Sequence, residues 1–332
     1  MGKEFVKILA AAAVILLFKT AGASAAEGDD APLDADAIPA QLRSFSSPAT
    51  SGDISQTFAN RVVLFFDAIS TSSGVSDAVK SGAAAGPGVW ADYKFIRTNQ
   101  TNAGNGGNNS SHNFFTFGKN VKLDRFSSYS LGFSYVSGNI SAIRGGNNLN
   151  ISNLNAAVLY SKKYGRRRNL ELYLDGGFSV NSNDGIEYRA ESVSASAVSD
   201  LKLGKNFGVK MGLSSSNLFI REFDNKNGIK FKNRGLSSLA ATPSAYADRT
   251  TRIFDRLSLV GRAQLGCDAN LIKKRIRFAP DGKKNIFDDD YFLSFSGNLE
   301  MGKKFSLGLS YKFLENKSAK ENSYGLNLTV KL

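Results

Sequence analysis

Ser323-Tyr324-Gly325-Leu326-Asn327-Leu328-Thr329-Val330-Lys331-Leu332 is the stretch whose reading decides the fold. Every second residue is large and apolar (Tyr324, Leu326, Leu328, Val330, Leu332), and those between are small or polar. Successive side chains of a strand point to opposite faces, so this segment has one apolar face and one wet face. A sandwich strand could do the same, but this segment ends the chain flush and repeats a pattern found throughout the C-terminal three-quarters. The expectation is an all-β fold: a transmembrane antiparallel up-and-down barrel, closed by this strand, with the apolar face toward lipid.

Working outward, the same dyad recurs. Tyr129, Leu131, Phe133 and Tyr135 are separated by Ser130, Gly132 and Ser134. Phe207, Val209, Met211 and Leu213 alternate with Gly208, Lys210, Gly212 and Ser214. Phe305 to Phe313 repeats the arrangement. About twelve strands are expected, at residues 89–99, 113–124, 128–140, 150–163, 169–181, 190–203, 206–222, 252–269, 271–279, 290–302, 304–314 and 322–332. The ninth, through Ile272, Ile276 and Phe278, has the poorest pattern. Short connections (Arg125–Ser127, Gly165–Arg168, Lys205, Lys303) interleave with longer polar ones (Gln100–His112, Ser141–Leu149, Phe223–Thr251). That parity is what periplasmic turns and surface loops require.

Ahead of the barrel (89–332) lie three segments. Residues 1–25 have Lys3 and Lys7, an apolar run from Ile8 to Phe18, and Ala23-Ser24-Ala25, which together read as a secretory signal peptide. Residues 26–52 are acidic, then Pro- and Ser-rich, and read as a flexible linker. In 53–88, Asp53 caps an amphipathic helix over 54–70 (Ile54, Phe58, Val62, Phe65, Ile69), and Ser81–Gly88 reads as a hinge or turn. Such a helix would span about 25–27 Å, close to the height of a barrel's apolar band, and either lies beneath the barrel or threads up through it.

The formal charge is +13, and removing three lysines and one glutamate with the signal peptide leaves +11. The basic residues are scattered, so no nucleic-acid partner is expected and an anionic lipid surface, including lipopolysaccharide, is the natural neighbour. Cys267 is the only cysteine, which excludes an internal disulfide. His112, the only histidine, reads as a solvated loop residue without a catalytic context, and Asp288-Asp289-Asp290 as a solvated acidic run. No enzyme, cofactor or metal site is expected.

The polar faces supply the candidate lumen set: Asp92, Lys94, Lys122, Asp124, Glu171, Asp175, Asp200, Lys202, Lys210, Arg256, Arg262, Glu300 and Lys312. Such charges either balance one another across the interior or grip the helix through Asn60, Arg61 and Asp67. Lys94, Glu171, Asp200, Arg256, Arg262 and Glu300 are the wall residues singled out for that role.

The Gly88-Val89-Trp90 start, strand motifs such as Leu131-Gly132-Phe133-Ser134-Tyr135, and the closing Tyr324-Gly325-Leu326 resemble the translocator domain of type V autotransporters. The resemblance covers about residues 52–332. It implies a twelve-stranded barrel with a lumenal helix linking a passenger to the cell surface. It also implies a terminal strand (Tyr324, Leu326, Leu328, Val330, Leu332) read by the barrel-assembly machinery. Leu332 stands where the family has an aromatic residue, and only about 25 linker residues occupy the place of a passenger. Some members self-cleave at an Asn-Asn pair in the helix; only Asn60 lies there, so no self-cleavage is expected. The resulting expectation is a monomeric outer-membrane autotransporter-type domain that displays its own short N-terminal segment. The alternatives are a small porin-like channel and an adhesin acting through the 223–251 loop.

Overall fold

The computed structural model describes residues 33–34, 72–84, 86–102, 107–142, 148–183, 186–221, 223–224, 230–231, 234–254, 257–271, 275–279, 282–285, 289–301, 304–315 and 319–332. The signal peptide and the helix expected over 54–70 lie outside these residues, as do Asn60, Arg61, Asp67 and Arg256. Of the linker, only Leu33–Asp34 falls within them.

Twelve antiparallel strands close into a barrel. They are β1 (Gly88–Asn102), β2 (Gly107–Lys122), β3 (Ser127–Ala142), β4 (Asn148–Tyr164), β5 (Arg168–Asn183) and β6 (Ile186–Lys202), followed by β7 (Phe207–Ile220), β8 (Arg234–Phe254), β9 (Leu257–Asn270), β10 (Asp290–Met301), β11 (Phe305–Glu315) and β12 (Ala319–Lys331). Each pairs with its chain neighbour, and β12 closes on β1 from Ala319↔Asn102 to Lys331↔Trp90. Closure leaves no strand edge in the barrel wall. The terminal stretch is therefore the closing seam, with Tyr324, Leu326, Leu328 and Val330 opposite Arg97, Phe95, Tyr93 and Ala91. The Leu332 amide donates to the Val89 carbonyl at 3.1 Å.

One rim carries the tight turns. At the β2–β3 turn, the Leu123 amide donates to the Ser127 carbonyl at 3.0 Å, and at the β6–β7 turn Leu203 donates to Phe207 at 3.1 Å. Asp124 caps its turn by accepting from the Phe126 and Ser127 amides at 2.6 and 2.8 Å, so it does not point into the lumen as expected. The opposite, loop rim carries the two longest connections, 221–233 and 271–289.

The strand count agrees with the sequence reading, but two strands differ. The segment 223–251, expected to be a loop, contains most of β8, which runs 21 residues and pairs with β7 and β9. Its outward positions are mostly small or polar (Ala241, Pro243, Ala245, Ala247, Arg249, Thr251), which flattens the hydropathy alternation. Pro243 adds a breaker signal: it pairs with Met211 of β7, while the β9 ladder skips Thr242 and Pro243. Conversely, the segment 271–279 is not a barrel strand. Arg275–Ala279 forms a small hairpin with Gly282–Asn285, and Leu33–Asp34 pairs with it in parallel. Asp268 pairs with Asp290, so β9 ends and β10 begins at the same rim, and a single crossing strand between them is topologically barred.

The outer wall carries the apolar half of each dyad. Phe117, Phe133, Leu154, Met211, Leu265 and Leu309 are all exposed there. Aromatic rings pack in tilted pairs across strands, with Tyr93–Phe115 centroids at 5.0 Å and Tyr311–Tyr324 at 5.3 Å. A belt of this extent far exceeds the apolar patch of a water-soluble monomer.

Candidate functional site: a helix seated in the lumen

A helix over residues 72–84 precedes β1 and lies inside the barrel. Its buried face follows helical spacing through Ser72, Val75, Ser76, Val79 and Gly82. Val75 and Val79 join Trp90, Phe114, Val136, Ala157, Leu159 and Tyr173 in one buried cluster. All six of those partners occupy the inward half of their strands' dyads. Of the hinge or turn expected at Ser81–Gly88, residues 81–84 are instead the last helical turn, while Gly86 and Gly88, at φ 85° and 123°, turn the chain into β1.

The small residues that suggested a hinge are what the lumen demands. A Cβ at Gly74 would lie 2.4 Å from the Phe114 ring, and one at Gly82 would lie 2.2 Å from the Trp90 indole. On the wall, a Cβ at Gly132 would lie 2.7 Å from Val79 Cγ2, and one at Gly118 2.3 Å from Trp90. Glycine costs about 1 kcal/mol relative to alanine inside a helix, and here that loss is offset by close packing on aromatic rings.

Polar contacts fix the helix at three levels. Near the turn rim, Asn120 Nδ2 donates to the carbonyls of Gly82 and Gly86 at 2.6 and 2.7 Å. Its Oδ1 accepts from Trp90 Nε1 at 2.8 Å and from Ser130 Oγ at 2.6 Å. Orphan carbonyls at a helix C-terminus need such a donor, and one wall side chain supplies it. At mid-helix, Lys94 Nζ meets Asp77 Oδ2 at 2.7 Å, with the Lys94 side chain 9% exposed and that of Asp77 56%. At the first described turn, Ser72 Oγ donates to Asp175 Oδ1 at 2.9 Å, and the Tyr173 hydroxyl lies 3.5 Å from the Ser72 carbonyl.

The far side of the lumen is arranged differently. Tyr246 donates to Asp200 at 2.7 Å, and Arg262 pairs with Asp248 at 3.1 Å while lying 4.5 Å over the Tyr246 ring. Ser258 donates to Glu300 at 3.3 Å; on β5, outside this far side, Asn169 donates to Glu171 at 3.0 Å. Thus, of the wall charges singled out from sequence, Lys94 touches the helix, while Glu171, Asp200, Arg262 and Glu300 bond along the wall. Sequence reasoning missed Asp77, Asn120 and Trp90 as partners. The signal for Trp90 was present in the Gly-Val-Trp start, but nothing local distinguishes Asn120 from other strand asparagines.

His112, expected in a solvated loop, is a buried β2 residue, and Gly138 on β3 makes room for its ring. Among the described residues, no group of three or more His, Cys, Asp or Glu side chains could hold a metal.

Fold and site together define a class: a closed twelve-stranded barrel with an N-terminal helix packed in its lumen. Autotransporter translocator domains are among the solved structures that share this fold. The chain is similar to the translocator domain of the autotransporter NalP from Neisseria meningitidis, with TM-score 0.61, 12% identity, and 80% of this chain and 97% of that one covered. It is also similar to the β domain of the Bordetella autotransporter BrkA (TM-score 0.55, 12% identity, 74% and 99% covered). A third similar structure is the transport unit of the autotransporter AIDA-I from Escherichia coli (TM-score 0.53, 11% identity, 79% and 97% covered). No family model and no curated protein matches the sequence.

Proposed function

We propose that the chain is an outer-membrane β-domain of the autotransporter type, which holds its own N-terminal segment through the lumen and toward the cell surface. The observation that carries this reading is the helix at 72–84, packed on the inner wall and capped by Asn120 at its turn-rim end. Its other end points toward the loop rim. Consistent with that direction, Leu33 and Asp34 pair with Phe278 and Ala279, in the connection between β9 and β10 at the loop rim. The apolar belt supports a bilayer around the strands, and Tyr324 to Leu332 serves as the strand that the barrel-assembly machinery reads. The site is a structural and conduit device.

The test is surface labelling in intact cells with Cys267→Ser and a cysteine in place of Ala35. A membrane-impermeant maleimide should label Ala35→Cys in whole cells. Labelling only after the outer membrane is permeabilised would refute display. A second reading, a channel, is favoured by one observation: the inward Ser310 of β11 is exposed, unlike the helix-covered wall. In planar bilayers the chain should conduct weakly, and deleting 72–84 should raise the current. A large steady current unchanged by that deletion would favour the channel.

A further inference from the structure

The outer wall of β12 and β1–β5 carries a hollow of about 970 Å³. Small residues Ala91, Ala156 and Gly176 lie along it between Phe117, Phe133 and Phe178. A Cβ at Gly176 would meet only the Ser192 carbonyl, at 3.7 Å, so the hollow is open to whatever surrounds the barrel. Just above it, toward the loop rim, the two faces of the wall exchange character. Tyr135 and Leu154 are the last large outward apolar side chains on β3 and β4. Beyond them the outward positions are Ser137, Asn139, Ser152 and Asn150, while the inward ones are Ile140, Ile151 and Leu149, all buried. Asn139 Nδ2 donates to Asn150 Oδ1 at 2.8 Å on the exposed face, and the Tyr93 hydroxyl donates to Asn113 Oδ1 at 2.9 Å. The exchange marks where hydrocarbon ends and hydrated headgroups begin, since an aromatic with a polar tip belongs at such a boundary.

We propose that this strip binds a phosphorylated glycolipid, with acyl chains in the hollow and the sugar against the amide collar. The choice follows from complementarity. An apolar trough accepts any acyl chain, but a collar of paired amides and hydroxyls offers a flat set of neutral donors and acceptors suited to sugar hydroxyls. Arg97, exposed on the outward face of β1 beside this collar, adds one cation for a phosphate. The collar lies low on β3 and β4, with only Tyr129 to Tyr135 and Leu154 to Tyr160 presenting outward apolar side chains. On β11 the outward series runs from Phe305 to Phe313. A bulky headgroup can therefore settle deeper on this side. The proposal rests on the outer-membrane reading above.

The test uses the full chain, purified in detergent and stripped of lipid, titrated by native mass spectrometry. The probes are a bisphosphorylated, multiply acylated glucosamine disaccharide and phosphatidylglycerol of matched chain length. The disaccharide should bind about ten-fold tighter, as one or two net hydrogen bonds imply. Asn139→Ala/Asn150→Ala should abolish that preference, and Gly176→Trp should weaken both lipids. Equal binding of the two lipids, or a preference that survives the double variant, overturns the proposal. A heat-dependent shift in gel mobility, followed on the same samples, separates the readings. If the shift persists without glycolipid preference, only this proposal fails; if no folded barrel is seen, the outer-membrane reading fails with it.

Discussion

The inner wall has two unlike halves. On β1–β5 apolar lumenal side chains alternate with buried polar ones such as Lys94, Asn120 and Asp175, spaced by Gly118 and Gly132, and the helix packs against them. On β8–β11 they are charged or hydroxylated, bonded to one another, and partly open to water: the Arg262 side chain is 36% exposed. The difference teaches what each half does. The first is built to match one rigid partner at close range, so a single added methyl is felt. The second needs only to keep its charges solvated or paired, which tolerates exchange.

The comparison can be broken most forcefully at Gly82. Gly82→Val puts side-chain atoms into the Trp90 indole and should unseat the helix while leaving the barrel folded. Trp90 is the only tryptophan, so its emission reports the event: it should shift to the red and become accessible to iodide. Trp90→Ala, which empties the same seat, should lower stability by about 3–5 kcal/mol, the usual cost of truncating a buried large aromatic. The midpoint of the heat-dependent gel shift measures it.

Asn120→Ala comes next. It removes the donor to the Gly82 and Gly86 carbonyls and should loosen the helix by about 1–3 kcal/mol, read as faster proteolysis at the helix C-terminus with an unchanged wall. Asp77→Asn leaves the Lys94 ammonium without its counter-charge. Because Asp77 is itself more than half exposed, the loss should fall below the range of a fully buried pair, at about 1–2 kcal/mol. On the other half, Arg262→Ala should cost at most about 1 kcal/mol and leave Trp90 emission unchanged. If Arg262→Ala shifted that emission as far as Gly82→Val should, the two halves would not be independent.

The smallest effect belongs to the turn rim. The Ser127 hydroxyl, with the Phe126 and Ser127 amides, holds the Asp124 carboxyl below its usual range. A depressed carboxylate stabilises the folded state above its unfolded pKa, and that contribution fades as pH falls through the folded value. Acidification below about pH 4 should thus loosen the β2–β3 turn, seen as faster amide exchange at Leu123, and Asp124→Asn should remove the pH dependence.

Much of the barrel was legible because a lipid-facing wall imposes strict alternation, as in Phe305–Phe313 and Tyr324–Leu332. β8 was not, because Ala241, Pro243, Ala245 and Ala247 give its outer face too little bulk to stand out. The opposite error at 271–279 arose because Ile276 and Phe278 alternate equally well in a hairpin outside the barrel. At the site, the seat of the helix was hidden for a physical reason. A run such as Gly74-Val75-Ser76-Asp77-Ala78 has little helical propensity of its own, and its helicity comes from the wall that encloses it. The pairings of Asp77 with Lys94 and of Asn120 with Gly82 join distant parts of the chain, and only closure of the barrel brings them together.

The most direct test of the lumenal helix is a disulfide between Val79→Cys and Gly132→Cys in a Cys267→Ser background. Val79 Cγ2 lies 2.7 Å from the Cβ position at Gly132. The two Cβ atoms are therefore within about 4.2 Å, inside the range a disulfide accepts. Thr116→Cys/Ser134→Cys, built on wall hydroxyls 2.7 Å apart, serves as the control. With the helix seated in the lumen, mild oxidation of membranes should cross-link both pairs to similar extents. A control that cross-links while Val79→Cys and Gly132→Cys remain reduced would contradict it.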